Sequence, residues 1–219
     1  MLPAKGEAHL KVAATWIGLV LGTSALILQF SLTISARLSS GDNIAGALVF
    51  FFTFFTILTN LALVLIYASE LWPRQWLNWF RRPATRGMMV ALILLVMGFY
   101  HLVLAQTWNP EGWFKVADIA LHYVTPIFYV AWWVLFMRHG MLKFSMIPPM
   151  LLPAVIYLIY VMIRGALVGH YPYPVFEANV IGYGGVAINV LWLLGIVLVL
   201  SAAVVAIDRA LTRVDMPGP

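Results

Sequence analysis

The sequence predicts an all-α protein that crosses a membrane six times and forms a single domain over residues 1–219. Hydrophobic residues make up 63% of the chain and charged residues only 10%, whereas soluble domains contain roughly 25% charged residues. Six apolar stretches are each long enough to cross a bilayer as a helix. They lie at about residues 12–36, 46–69, 88–106, 116–137, 147–169 and 180–207.

Each stretch can be taken as a retained span. The first is too long to be the apolar core of a signal peptide, which has roughly 7–15 residues. The second contains the run FFTFFTILTN, and the third and fourth carry His101 and His122. The fifth opens with prolines and carries Arg164 near its far end, and the sixth is apolar over most of its length. Ionisable groups inside a span are costly, so His101, His122 and Arg164 are candidates for function.

Basic residues predict the orientation of the spans, because lysine and arginine accumulate in cytoplasmic loops. With both termini cytoplasmic, the outer segments contain only Arg37 and Lys115. The inner segments then contain ten basic residues, namely Lys5, Lys11, Arg74, Arg81, Arg82, Arg86, Arg138, Lys143, Arg209 and Arg213. We therefore expect both termini of this multi-pass protein to be cytoplasmic or on the equivalent side. The net charge of +5 reflects this distribution and does not indicate a nucleic-acid partner.

The fourth span carries an ionisable pair. Asp118 and His122 are four residues apart, so they share one face of a helix and the carboxylate can orient the imidazole. Pro126 follows one turn later. The chain has no cysteine, which excludes disulfides, thiolate catalysis and cysteine metal sites. The histidine is therefore the leading candidate for a reactive group.

Several other polar residues are predicted at a similar depth in the outer half of the membrane. At 1.5 Å per residue, His122 lies roughly 9 Å and Arg164 roughly 7 Å below the outer surface. His101 and Asp118 fall in the same half, and the loop before the sixth span adds Tyr173 and Glu177 above them. A common depth is what a shared pocket requires.

The second span carries a polar stripe. With Thr56 taken as zero and 100° per residue, Thr53 and Thr59 fall about 60° to either side and Asn60 about 40° away. By the same helical rise Thr56 is about 15 Å deep, which is about 6 Å below His122. An imidazole can cover much of that gap if the two helices are adjacent.

These residues allow both functional and structural interpretations. Thr56, His122 and Asp118 can act as a nucleophile, its base and the group that orients the base. Threonines in membrane helices also bond to their own i−4 carbonyl or join helices. His101 and His122 can ligate a haem. Arg164 can bind a substrate carboxylate or form an ion pair with Asp118 or Glu177.

Five motifs occur in an order that matches a known family. They are FTILTN at Phe55–Asn60, LHYVTP at Leu121–Pro126, RG at Arg164–Gly165, YPYPVFE at Tyr171–Glu177 and GY at Gly182–Tyr183. From the second span onward the chain resembles the bacterial branch of the androgen-induced gene family of six-helix membrane proteins, which implies a multi-pass protein of a bacterial inner membrane. Animal members of that family are intramembrane hydrolases of fatty acid esters of hydroxy fatty acids, and they use one threonine and one histidine.

The resemblance implies a role for particular residues. The histidine of the family falls on His122, which stands before the proline of the fourth span. The threonine falls on Thr56, four residues before Asn60, while an ungapped match to the animal pattern gives Thr59. The centre of the polar stripe favours Thr56.

We therefore expect an intramembrane threonine hydrolase that cleaves a lipid-like ester, such as a fatty acid ester of a hydroxy fatty acid. Thr56 is the expected nucleophile, His122 the base and Asp118 the orienting group. Asn60 or a tyrosine is expected to stabilise the oxyanion. The partner is a membrane lipid or fatty acid ester, and neither a metal nor an organic cofactor is required. A haem-binding electron carrier and a non-catalytic lipid-binding protein are the alternatives.

Overall fold

The computed structural model describes residues 5–214, and this part of the chain is helical and contains no β-strand. Lys5 and Arg213 belong to the ten inner basic residues of the sequence analysis, and their side chains lie outside the part of the chain that the structure describes. The α-helices are α1 (Lys5–Ser39), α2 (Ile44–Phe51), α3 (Phe55–Leu71), α4 (Pro83–Phe99), α5 (Gly112–Ile119), α6 (Thr125–Phe136), α7 (Ile147–Val168) and α8 (Ala178–Val214).

Two π-helical turns extend these helices. Tyr100–Leu104 continues α4, and Ala120–Val124 joins α5 to α6. Short 3₁₀ turns also occur in the connections, at Gln75–Leu77, Phe144–Met146 and Pro174–Phe176. The resulting long helices confirm an all-α protein of the multi-pass type, because five helical stretches between residues 5 and 214 are long and apolar enough to cross a membrane. These stretches are Gly6–Ser39, Pro83–Leu104, Gly112–Phe136, Phe144–Val168 and Ala178–Thr212.

The second predicted span, residues 46–69, is wrong as a single straight helix. It is divided into α2 and α3, which meet at an angle of 77°. The hydroxyl of Thr53 donates to the carbonyl of Val49 at 2.6 Å, in the last turn of α2. Phe54 then has an extended backbone, with φ −83° and ψ 128°, and α3 begins at the next residue. Thr53 therefore does not belong to the helix that carries Thr56.

Tyrosines from distant parts of the chain bind the backbone groups that the break releases. The hydroxyl of Tyr157 donates to the carbonyl of Thr53 at 3.0 Å, and the N–H of Phe55 donates to the hydroxyl of Tyr173 at 3.1 Å. Irregular backbone at membrane depth is tolerated only where such partners exist inside the protein. The break is thus stabilised by α7 and by the segment before α8.

One end of the bundle is held together by charged groups. Glu70, at the end of α3, accepts from Lys11 of α1 at 2.8 Å and from Arg86 of α4. His139, just after α6, pairs with Asp208 of α8 at 3.2 Å. These contacts bring the first part of α1 and the last part of α8 to the same end. The other end contains the break between α2 and α3.

The core fills the space between α3, α4, α6 and α8, and the faces turned away from it are apolar. Tyr129 and Trp132 of α6 are almost fully buried there. On the outside of α8, Leu191 and Trp192 are each 71% exposed. An apolar outer surface on long helices is expected where lipid takes the place of water.

Candidate functional site

Thr56 lies in the first turn of α3, and the break decides what its hydroxyl can contact. The hydroxyls of Thr53 and Thr59 donate to the i−4 carbonyls of Val49 and Phe55, at 2.6 and 2.9 Å. The carbonyl four residues before Thr56 belongs to the break and not to α3. Within the described residues, the Thr56 hydroxyl makes no hydrogen bond to a backbone carbonyl. It is therefore free to interact with another helix.

That interaction is with His122. The hydroxyl oxygen of Thr56 lies 3.3 Å from the Nε2 atom of the imidazole. The helix that carries Thr56 and the segment that carries His122 are therefore adjacent, which the sequence analysis required for a catalytic pair. Thr59, the alternative nucleophile, is 3% exposed and donates to the carbonyls of Phe55 and Thr56.

The other ring nitrogen of His122 faces Asp118, as the spacing predicts. Its Nδ1 atom lies 3.0 Å from the backbone carbonyl oxygen of Asp118 and 3.2 Å from a carboxylate oxygen of the same residue. Both of these atoms are acceptors, so Nδ1 carries the proton. The neutral imidazole then presents the lone pair of Nε2 to the Thr56 hydroxyl.

A π-helical turn carries the histidine. The N–H of Thr125 donates to the carbonyl of Ala120, five residues earlier. Pro126, which has no N–H, cannot donate to the carbonyl of His122 in the regular α-helical pattern. Wider turns of this kind occur often at functional sites.

Tyr100 completes the surroundings of the imidazole, and the sequence analysis missed it. Its hydroxyl donates to the second carboxylate oxygen of Asp118. Its ring stacks on the ring of His122, with the centroids 3.9 Å apart and the planes inclined by 17°. Tyr100 begins the other π-helical turn. Nothing in its spacing from the other polar residues predicts this contact, because it depends on how α4 packs against the Ala120–Val124 turn.

Tyr173 also lies beside Thr56. Its hydroxyl accepts from the N–H of Phe55 at 3.1 Å. Burial raises the pKa of this hydroxyl, although contacts with the Thr56 hydroxyl and with the N–H groups of Phe55 and Thr56 act in the opposite direction. The group stays protonated, so its O–H can donate to an oxygen atom placed beside Thr56.

Two cavities meet at these residues. The larger has a volume of about 450 Å³ and extends between α1, α2 and the beginning of α5. The smaller has a volume of about 60 Å³ and extends between α3, α4, α7 and α8. The residues that line both are Thr56, Tyr100, Leu104, His122 and Tyr173. A ligand can therefore approach the hydroxyl of Thr56 from two sides.

Asn60 is close to the site but has other partners. Its side-chain NH₂ group donates to the carbonyls of Thr56 and Leu121, at 2.8 and 3.2 Å. Its side-chain oxygen accepts from the hydroxyl of Thr125. The residue thus joins α3 to the π-helical turn that carries His122. Both of its N–H donors are directed at the backbone and not into either cavity.

Three other residues from the sequence analysis do not line either cavity. His101 is exposed, and its Nδ1 atom lies 3.0 Å from the hydroxyl of Tyr123. Arg164 donates to the carbonyl of His170 at 3.3 Å, and no ion pair to Asp118 or Glu177 is found among the described residues. Glu177 accepts weakly from Asn179 and its carbonyl caps the beginning of α8. Arg37 lines the larger cavity instead, beside Asp42.

Compared with protein-family models, with curated proteins and with solved structures, the chain matches none of them. Between residues 5 and 214, no group of three histidine, aspartate or glutamate side chains is arranged to hold a metal ion.

Proposed function

We propose that this protein is an intramembrane hydrolase of lipid-like esters, with Thr56 as the nucleophile and His122 as the general base. The observation that carries the proposal is the 3.3 Å separation between the Thr56 hydroxyl oxygen and the Nε2 atom of His122. Asp118 holds the opposite side of the imidazole. A nucleophile, a base and an orienting carboxylate in this order support acyl-transfer chemistry on several unrelated folds.

In the first half-reaction the hydroxyl oxygen of Thr56 attacks the ester carbonyl carbon, and its proton passes to Nε2 of His122. The carbonyl oxygen becomes negatively charged in the tetrahedral intermediate. The bond to the alcohol oxygen then breaks, and this oxygen takes the proton from His122. The products are a free alcohol and an acyl ester on Thr56.

In the second half-reaction water attacks the acyl ester. His122 removes a proton from the water and returns it to the oxygen of Thr56, which regenerates the hydroxyl. The released acid carries the acyl chain. The charge of Asp118 stabilises the imidazolium that forms in each step.

The oxyanion is stabilised by a donor beside Thr56. The backbone N–H of Thr56 lies in the first turn of α3, where the N–H groups have no partner within the helix. The hydroxyl of Tyr173 lies next to this N–H. Because this N–H already faces the tyrosine oxygen, the O–H of Tyr173 is the donor that we assign to the developing negative charge. Tyr173 is thus the tyrosine that we assign to this task in place of Asn60.

The proposal includes the membrane setting and the family. We infer six spans, with α2 and α3 together as the second, cytoplasmic termini, and a site in the outer half of a bacterial inner membrane. The family is the androgen-induced gene family, and the reaction class is hydrolysis of a lipid-like ester. Support comes from three of its motifs, FTILTN, LHYVTP and YPYPVFE, which contribute Thr56, His122 and Tyr173 to one site.

A non-catalytic lipid-binding protein is the second candidate, since a cavity of about 450 Å³ can hold a lipid chain without any reaction. Haem binding receives less support. Nε2 of His122 faces the Thr56 hydroxyl at 3.3 Å, and His101 is exposed beside Tyr123. Measurement of ester turnover distinguishes the lipid-binding protein from the hydrolase. A visible absorption spectrum of the purified protein tests haem binding.

Covalent labelling tests the hydrolase directly. Purified protein in detergent is treated with an alkyl fluorophosphonate, and the modified residue is located by peptide mapping. We expect one adduct, on Thr56, because a threonine without an adjacent base is a poor nucleophile. Thr56→Ala should abolish labelling, and His122→Ala should slow it strongly.

Thr59→Ala is the matched control, because it removes a hydroxyl one turn away that is bonded to the backbone. This variant should keep most of the labelling. An adduct on Thr59 would reassign the nucleophile. The absence of an adduct on either threonine, together with the absence of ester turnover, would leave lipid binding as the better interpretation.

A further inference from the structure

An ester bound at Thr56 has two arms, and the structure offers one cavity for each. The carbonyl carbon must lie beside the Thr56 hydroxyl, which lines both cavities together with His122. One arm is the acyl chain, which stays bound to Thr56 after the first half-reaction. The other arm is the alcohol, which leaves. The question is which cavity receives which arm.

The two cavities differ in their chemistry. Apart from the residues that they share, the smaller is lined by one tyrosine, Tyr157, and otherwise by apolar side chains such as Leu95, Ala154 and Leu158. The larger is also lined by polar and charged side chains, including Gln29, Thr33, Arg37 and Asp118. Water is therefore far more favourable in the larger cavity than in the smaller.

The order of the two half-reactions requires that the two cavities differ in polarity. After the alcohol leaves, water must reach the acyl ester from the side that the alcohol has vacated. A cavity with polar walls can release the alcohol and admit the water. An apolar pocket can hold a hydrocarbon chain in place during both events, since leaving the pocket would expose the chain to water.

We propose that the smaller pocket binds the acyl chain and the larger cavity binds the alcohol part of the substrate. This inference rests on the proposed ester hydrolysis. An apolar cavity of about 150 Å³ holds a benzene molecule in another protein, so a pocket of about 60 Å³ has room for only a few carbon atoms. The preferred substrate is therefore a short acyl ester of a long or bulky lipid alcohol, which differs from the long-chain fatty acid esters that the family resemblance implies.

Two alanines allow a matched test. Ala154 of α7 is 5% exposed and lines the smaller pocket, while Ala36 of α1 lines the larger cavity. Leucine at either position narrows one cavity and leaves the other unchanged. Neither alanine has a side-chain atom that could take part in the chemistry.

The experiment uses two series of esters with the purified protein in detergent micelles. In the first, 4-methylumbelliferyl esters carry acyl chains of increasing length, from acetate to palmitate. In the second, acetate esters carry straight-chain alcohols of increasing length, and released acetate is measured. For the natural protein, we expect kcat/KM to fall at least tenfold from acetate to palmitate and to stay within threefold along the alcohol series.

Ala154→Leu should lower kcat/KM for butyrate at least tenfold relative to acetate and leave the alcohol series unchanged. Ala36→Leu should weaken turnover of the longer alcohols and leave the acyl series unchanged. Because a larger side chain in a buried position can impair folding, Leu158→Ala provides a second test in the opposite direction. It enlarges the pocket and should raise the relative rate on octanoate.

The outcomes distinguish this inference from the proposed function. If hydrolysis depends on Thr56 but Ala154→Leu changes only the alcohol series, the two arms are assigned to the wrong cavities. If neither series responds to any of the three variants, the pocket assignment is wrong although the hydrolase stands. If the natural protein hydrolyses no ester and forms no Thr56 adduct, both proposals fail together.

Discussion

The hydroxyl oxygen of Thr56 lies 3.3 Å from the Nε2 atom of His122, although the two residues are 66 positions apart in the chain. The contact depends on the break between α2 and α3. In an unbroken helix, the hydroxyl of Thr56 would have its own i−4 carbonyl as a partner, as Thr59 has. The break removes that partner and places the hydroxyl at a helix end, beside the imidazole. A local irregularity thus turns a common helix-packing residue into a candidate nucleophile.

Replacing Asp118 tests whether it orients the imidazole. Asp118→Asn keeps the size of the side chain but offers an N–H where the imidazole needs an acceptor, so the wrong ring nitrogen becomes protonated. We expect kcat for a short ester to fall about 100-fold or more, with KM within about threefold. Asp118→Ala should reduce kcat less than His122→Ala. Glu111→Gln is the control, since this exposed acid precedes α5 and should leave kcat unchanged.

Replacing Tyr100 by phenylalanine tests its bond to Asp118. The change removes the hydroxyl that donates to the carboxylate but retains the ring that stacks on His122. A hydrogen bond to a charged group contributes about 1.5–3 kcal/mol, so we expect a roughly 10-fold or larger loss of kcat. Tyr123→Phe, which removes the hydroxyl next to His101, should retain full activity. Equal losses in both variants would argue against a specific role for Tyr100.

A second histidine–aspartate pair provides a comparison with the first. Both ring nitrogens of His139 face oxygen acceptors, Asp208 at 3.2 Å and the carbonyl of Val134 at 2.9 Å. A carboxylate oxygen of Asp208 also accepts from the N–H of Leu142 at 2.8 Å. Asp208→Asn should therefore lower the melting temperature, because loss of a buried charged partner costs about 3–5 kcal/mol. Turnover per folded molecule should not change. A loss of turnover without a loss of stability would contradict this purely structural role.

Gly165 is needed for packing and not for chemistry. A Cβ atom at this position would lie 2.1 Å from the ring of Tyr171, in the segment before α8. Gly165→Ala should therefore destabilise the protein by roughly 1–3 kcal/mol, as overpacking commonly does. Gly195→Ala is the control, because a Cβ atom on that part of α8 meets nothing within 4 Å. Thermal unfolding in detergent measures both variants, and equal melting temperatures would contradict the prediction.

Single cysteines test the orientation, since the natural chain has none. Gln75 and Asn109 are both exposed and lie in connections at opposite ends of the bundle. We expect a membrane-impermeant maleimide added to intact cells to label Asn109→Cys but not Gln75→Cys. After the membrane is permeabilised, both should react. Labelling of Gln75→Cys in intact cells would invert the orientation and move the site to the cytoplasmic half.

Local patterns in the sequence were sufficient to predict some features of the structure. The transfer free energy of apolar side chains adds up along a stretch of about 20 residues, so the membrane-spanning helices can be read without knowing their neighbours. The contact between Asp118 and His122 could likewise be predicted, because residues four apart meet on any helix. The sequence also selected both Thr56 and Thr59, but it treated them as members of one polar stripe.

Only the tertiary structure decided the break at residues 52–54, and with it the choice of threonine that faces His122. The hydroxyls of Tyr157 and Tyr173 satisfy the broken backbone from more than 100 positions away. The contacts of Tyr100 and the two cavities likewise arise where separate helices pack together. Hydrophobicity and helical spacing are properties of a segment by itself, whereas a hydrogen bond between helices depends on a relative placement that no segment contains.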